Sequence, residues 1–218
     1  MPAKAATRDR ILAAALQLFR KQGFEATTMR QIAKIAGTSL GSAYYYFPRK
    51  EALVLAYFED QMLLHEARAA ALFETTDDLS ERVKAAFLIR LELMESDQGF
   101  FGGLLRTVGE PDSSVSVFSK ENAPLRARGI GVLRDAVSVP SIDESVREDL
   151  ALILWALVLL MVLYFVHDRS EGQHKTRTLV LRSLDLLLPM VPLLATPPAA
   201  MLRREVRSML ADAALWPS

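Results

Sequence analysis

From Leu150 to Val166 the chain reads LALILWALVLLMVLYFV, seventeen residues without a charge. A helix that is apolar on every side has few places to go: a bilayer, a protein core, or a seam between subunits. A bilayer span takes about 20 apolar residues, with roughly 17 as the lower edge. Charged residues crowd both ends of this run (Arg147, Glu148 and Asp149 before it, Asp168 and Arg169 after), and the second side carries no basic excess of the kind that orients a span. The run therefore reads as the core or dimer helix of a soluble chain, with a membrane helix as the competing assignment.

The 218 residues are 51% apolar and 24% charged, an ordinary globular balance that fits one large domain or two small ones. With no cysteine, a disulfide framework, a zinc finger and a thiol nucleophile are all excluded. The formal net charge of zero conceals a split. Residues 1–53 hold nine Lys/Arg against three Asp/Glu, a net of +6, and residues 54–218 balance them with a net of −6. Such asymmetry points to a nucleic-acid-facing N-terminal end. Met1 to Arg10 is polar and charged, without an apolar run leading to a cleavage site.

Apolar residues recur at three- and four-residue steps almost throughout, and strand-like alternation is absent, so the expected fold class is all-α. A first helix, with Thr7 as its cap, carries Ile11, Leu12, Ala15, Leu16 and Phe19 on one face and ends near Gln22 at Gly23. Thr28 to Gln31 has the capping-box pattern, and Met29, Ile32, Ala33 and Ala36 form the stripe of the helix it opens. Gly37 ends that helix. Ser39 then suits the cap of a short helix, Leu40 to about Tyr46, closed by Pro48. Further helices are expected at 49–73, 79–95, 102–108, from the Pro111–Ser114 turn to about 137, at 142–169, 174–188 and 199–215. The polar break at 74–78 and the prolines at 140, 189, 192 and 197–198 separate them.

Two short helices across a tight Gly-containing turn, 28–36 and 40–46, are a helix-turn-helix candidate. The second opens Leu40-Gly41-Ser42-Ala43, so little bulk holds its leading face away from a neighbour, and Tyr44-Tyr45-Tyr46-Phe47, Arg49 and Lys50 follow. Small residues let a helix N-terminus sit deep in a major groove, while tyrosine hydroxyls and lysines reach phosphates. Four consecutive aromatics on a helix point in nearly all directions, so at least one or two rings must face outward.

The stretch from Gly23 to Leu53, GFEATTMRQIAKIAGTSLGSAYYYFPRKEAL, resembles the DNA-binding signature of the TetR family of bacterial repressors: T-T-x-x-x-I-A, a mid-turn Gly, then Y-x-x-F-x-x-K-E-x-L occur in register. A looser similarity continues in F-G-G-L-L from Phe101 and H-D-R-S-E-G from His167. Arg49 stands where that family often has a capping Ser or Asn. The resemblance implies a DNA-binding domain over 1–53 and a helical ligand-sensing and dimerisation domain over 54–218. It places Thr28 and Arg30 at the groove edge, Ser39, Leu40, Gly41 and Ser42 at the groove, and Tyr44, Tyr45, Tyr46 and Lys50 around bases or phosphates. Ser42 and Tyr45 are the expected base-edge contacts, Tyr44 and Lys50 the expected phosphate contacts. Leu16, Phe19, Ile32, Ala33 and Phe47 are expected in the core.

The resemblance further implies a cytoplasmic homodimer built from helices 142–169 and 174–188, with Trp155, Leu159, Val162, Leu181 and Leu184 at the interface, reading a palindromic operator. A small, apolar effector would bind among the middle helices. Candidate linings are Phe87, Leu91, Met94, Phe100, Phe101, Leu105, Trp155 and Tyr164, with Met62, Met94 and Met161 as adaptable wall.

No enzyme pattern competes. His65, His167 and His174 match no metal-ligand spacing, the glycines at 99–103 and 129–131 lack a dinucleotide loop's context, and no G-x-S-x-G elbow exists. Neither a metal nor a cofactor is expected. Arg203-Arg204-Glu205 reads as a solvated helix face. The alternative is a helical membrane-associated or effector-binding protein without operator recognition.

Overall fold

The computed structural model describes residues 2–109 and 113–212, and among them regular structure is helical throughout. In chain order the helices are α1 (Pro2–Gln22), α2 (Met29–Ile35), α3 (Leu40–Tyr46), α4 (Lys50–Phe73), α5 (Leu79–Met94), α6 (Gln98–Gly109), α7 (Ala123–Ala136), α8 (Glu144–Phe165), α9 (His174–Leu187), α10 (Val191–Leu194) and α11 (Pro197–Asp212).

Local chemistry sets most of the boundaries. Thr28 and Gln31 form a complete capping box: the Gln31 amide nitrogen of the backbone donates to Thr28 Oγ1, and the Thr28 backbone donates to Gln31 Oε1 at 2.8 Å. α2 ends in a double closure at Gly37, whose φ of +60° suits a residue without Cβ. The Gly37 amide donates to Lys34 O and the Thr38 amide to Ala33 O, which uses up carbonyls the helix end would otherwise leave unpaired. Ser39 caps α3 by accepting from the Ser42 amide at 3.0 Å.

Several boundaries differ from expectation. Thr7 does not cap α1, which begins at Pro2; the alanines before Thr7 favour helix, and Pro is tolerated in a first turn. α6 begins at Gln98 rather than 102, because a short 3-10 turn at Glu95–Asp97 leads into it and burial of Phe100 outweighs the glycines' poor propensity. Residues 113–122 are a compact set of turns, tied by Asn122 Nδ2 to Ser116 O at 3.2 Å, and α7 starts only at Ala123 with Pro124 in its first turn. α8 stops at Phe165. Asp168, buried just beyond, accepts from the backbone and hydroxyl of both Ser170 and Thr176 and so builds the turn into α9. Burial pushes its pKa up, but these four donors outweigh that and hold it well below the usual carboxylate range. The expected turn at Pro111-Asp112 and the last helix's extension to Leu215 lie outside the described residues.

Two compact units result. The first holds the chain up to Gln61 together with Asp97–Asn122; the second holds Met62–Ser96 and the chain from Ala123 onward. The expected boundary at residue 53 falls inside α4. What extends the first unit is aromatic packing: Phe19 stacks on Phe100 at 5.6 Å, Phe58 on Phe101 at 5.9 Å, and Tyr57 meets Phe100 edge-on at 5.4 Å. In the second unit α7 runs along α8, and α5 packs against α7 and α9 over a core of Phe87, Leu91, Leu150, Leu154, Phe165 and Leu184.

Candidate nucleic-acid interface

Packing among the first three helices fixes α3 from behind. Ile11, Phe19, Ile32, Ala33, Ala43 and Phe47 are buried, so α3 turns Ala43 and its C-terminal Phe47 inward; Leu16 is only half-buried. The opposite side of α3 is open. Gly41 is exposed, Leu40 and Ser42 are half-buried, and Tyr44 and Tyr45 are 48% and 71% exposed. Tyr46 is half-buried, meeting Tyr45 edge-to-face at 5.2 Å. Thr28, Arg30 and Ser39 are also exposed, as is Lys34, one turn beyond Arg30 on the same side of α2. Lys34 was absent from the residues singled out in the sequence, although its four-residue spacing from Arg30 signals it.

Gly41 has no structural need to be glycine. A side chain there would meet nothing closer than Ser39 Oγ at 4.0 Å, and its φ is not in the left-handed region. Glycine inside a helix costs about 1 kcal/mol relative to alanine, and at Gly41 the chain itself gives no return for that cost.

Lys50, expected around bases or phosphates, is engaged within the head itself. Its ammonium lies 4.5 Å over the Phe24 ring and donates to Phe24 O at 2.9 Å, with Glu25 O at 3.4 Å. The side chain fastens the loop between α1 and α2 to the start of α4, and positions the head from within.

With an exposed, small-residue α3 cradled by a capped α2, the arrangement is a helix-turn-helix whose second helix is presented to a partner. Residues 11–57 match the family model described as bacterial regulatory proteins, tetR family, and residues 82–196 match the tetracyclin repressor-like C-terminal domain. The chain belongs to the TetR family of bacterial regulatory proteins.

Among TetR-family relatives, the HTH-type transcriptional regulator RutR of Escherichia coli (strain K12) is 48% identical over 54 residues, 25% of this chain and 26% of RutR. The matched segment thus spans about a quarter of that relative's length. A TetR transcriptional regulator from Nitrosomonas europaea has the same fold, with TM-score 0.66 and 23% identity over 82% of this chain and 96% of the other. So does Thermus thermophilus FadR, solved with lauroyl-CoA, with TM-score 0.60 and 24% identity over 81% and 92%.

The remaining expected sites divide between the two units. Phe100 and Phe101 belong to the aromatic cluster of the first unit, where Leu105 is half-buried. Phe87, Leu91, Met94 and Met161 are core of the second, where Trp155 is half-buried. Tyr164 is 40% exposed. A shallow groove of about 300 Å³ in the second unit is lined by Glu66, Phe73, Arg128 and Asp135 among others, and by none of the expected residues. His65 is buried beside α5, and its Nε2 lies 2.9 Å from Ala86 O, which requires the proton on Nε2 and leaves Nδ1 without a partner.

The residues expected at a dimer interface differ in burial. Leu184 is 0% exposed and serves the subunit's own core. Trp155, Leu159, Val162 and Leu181 are half-buried flanks. The bare row on α8 is Ile153, Ala156, Leu160 and Leu163, and on α9 it is Leu179 and Leu186, continued by Met190 and Leu193.

Proposed function

We propose that this TetR-family chain is a ligand-responsive transcriptional repressor that binds a palindromic operator as a homodimer and is released by a small apolar effector. The observation that carries the reading is the open face of α3, Gly41, Tyr44 and Tyr45, within the helix-turn-helix that the family model matches. Gly41 and Ser42 let the helix approach the floor of a major groove, Tyr45 reaches base edges, and Tyr44, Arg30, Lys34 and Thr28 meet phosphates on either side. Lys50, Ser39 and the capping box hold that face in register. Leu40 and Tyr46, both half-buried, flank that face.

Dimerisation is supported by the bare rows on α8 and α9, spaced at alternating steps of three and four as in a helix-bundle seam. α8 is long and apolar enough to cross a membrane. Its other side, however, is committed to protein: Leu150, Leu154, Met161 and Phe165 are buried in the second unit, which favours a partner seam in a cytoplasmic protein over lipid. Two-fold pairing of the heads then gives a dyad-symmetric operator.

α4 contributes to both units and is the covalent path along which an effector in the second alters the first. Release follows only if the effector prefers the head spacing that does not fit DNA. An apolar effector suits the apolar core of the second unit, Phe87, Leu91, Met94 and Leu154 among others, and the same fold holds lauroyl-CoA in Thermus thermophilus FadR. No catalytic residues, metal or cofactor enter this reading.

Selection from a random duplex pool tests it. A dyad-symmetric consensus with two half-sites supports the proposal; recovery of no preferred sequence favours the helical protein without operator recognition.

A further inference from the structure

We infer that Arg177, at the start of α9, is a positioning residue for the DNA-reading head, acting through Glu95 and Asp97; the inference rests on the reading of α3 proposed above. One place where the chain crosses from the second unit to the first is the 3-10 turn Glu95–Asp97, between Ser96 and Asp97. α5 enters this turn without a glycine or a proline. Glu95 keeps helical dihedrals, φ −54° and ψ −45°, its amide donates to Glu92 O, and α6 follows at once from Gln98. A 3-10 turn set between two helices is a recognised place for a hinge.

Both sides of this hinge are held by arginines, one in each unit. In the second unit, Glu95 accepts from Arg177 Nη2 at 3.3 Å, and Arg177 Nε donates to Gly172 O at 3.2 Å. In the first, two residues further on, Asp97 accepts from Arg20 and from the Tyr57 hydroxyl. Arg20 ends α1 and Tyr57 lies on α4, the helices that enter and leave the helix-turn-helix. α5 and α9 run antiparallel, with Lys84 paired to Asp185 at one end and Glu95 to Arg177 at the other. Loss of the second pair therefore frees the end of α5 that leads into Asp97, while the rest of α5 stays docked. Asp149 with Arg203 and Arg207 is a different case: that cluster takes Arg203 off the solvated face expected of it, but all three lie in the second unit.

The loop that presents Arg177 is strained. Gly172 and Gln173 have φ of +57° and +48°, and Gln173 is the one residue other than glycine with positive φ among the described residues. Its side-chain Oε1 is also buried without a partner. A left-handed residue with a Cβ persists only where its surroundings over-determine it. Those surroundings are Asp168, bonded to Ser170 and Thr176 on either side of the pair, and Arg177, which holds the Gly172 carbonyl. Relaxing this loop withdraws Arg177 from Glu95 and loosens the joint next to Asp97.

Hydrogen-exchange mass spectrometry of the full chain tests the inference, together with anisotropy titration of the selected duplex. Arg177→Met removes both bonds of the arginine. Gly172→Ala disturbs the loop and keeps both charges, since its Cβ meets nothing nearer than Glu95 Oε1 at 4.0 Å but sits on a left-handed backbone. The Arg177 and Glu95 side chains are 29% and 43% exposed, so Arg177→Met should leave the urea midpoint nearly unchanged. Both variants should nevertheless speed amide exchange at residues 16–22 and 55–61 by about threefold or more and weaken operator binding by a similar factor. In a Tyr57→Phe background, where the Asp97 junction is already loosened, Arg177→Met should add less to either readout. Unchanged exchange in the head of both variants overturns the inference. So does faster exchange with unchanged affinity for an operator that the wild type binds, and so does an Arg177→Met effect of equal size in both backgrounds. Faster exchange in a chain whose wild type selects no operator upholds the link from Arg177 to the head and puts the failure in the reading of α3.

Discussion

Arg20 and Asp97 stand seventy-seven residues apart and form a two-pronged ion pair, with Arg20 Nη2 donating to Asp97 Oδ2 at 3.1 Å and Nε donating to Oδ1. The Tyr57 hydroxyl donates to the same carboxylate at 2.6 Å, so one buried acidic group gathers the end of α1, the middle of α4 and the start of α6. The bond raises the pKa of Arg20 and keeps it charged. Arg20 is half in solvent, whereas Asp97 is not. Removing the arginine therefore leaves a buried carboxylate short of a partner, and Arg20→Met should cost about 3 kcal/mol in urea unfolding. The double variant Arg20→Met/Asp97→Asn should be more stable than Arg20→Met alone, by about 1 kcal/mol, since the stranded charge is gone. Strict additivity of the two substitutions contradicts the pairing.

Gly41→Ala should separate folding from binding. Nothing in the chain obstructs the added methyl, so the variant should unfold at equal or higher denaturant, gaining up to about 1 kcal/mol. Affinity for the selected duplex should nevertheless fall. An affinity equal to wild type would remove the argument that a partner approaches this glycine.

His65 predicts an acid sensitivity of known sign. Burial, then the positive charge of Arg90, lowers its pKa from 6.5 to about 4. The folded state thus takes up its proton later than the unfolded chain does as pH falls. The associated stability is complete above the unfolded value near 6.5 and is lost between that pH and about 4, reaching about 2 kcal/mol by pH 5. The difference in unfolding free energy between about pH 7.5 and about pH 5 should be smaller in His65→Gln than in wild type by that amount.

Lys50→Met should lower the stability of the head by about 1 kcal/mol, because it keeps the aliphatic stem and loses the bonds to Phe24 O and Glu25 O. A variant with wild-type stability and a shallower salt dependence of DNA binding would return Lys50 to the phosphates.

The caps at Thr28 and Ser39 were legible in the sequence because hydroxyl, amide and helix period fix their partners three residues away. The open face of α3 followed from the same logic, since four consecutive aromatics cannot all turn inward. Lys50 was not legible as a loop anchor. Its charge is visible in the sequence, but the carbonyls it meets lie twenty-five and twenty-six residues back. Leu184 and Leu186 are alike as residues, and only the side of α9 that meets α5 makes the first core and the second bare. Asp97 gave no signal at all, being a lone acid between Ser96 and Gln98 whose partners come from folding.

Tyr45→Ala probes the entry of α3 into duplex DNA most directly, because Tyr45 is the most exposed ring of the helix and its loss leaves the core intact. Fluorescence anisotropy titration of the selected operator should show the variant binding at least about tenfold more weakly than wild type, a difference of roughly 1.4 kcal/mol, with helical content and dimerisation unchanged. Equal affinity for the operator would contradict the assignment of α3 as the helix that reads it.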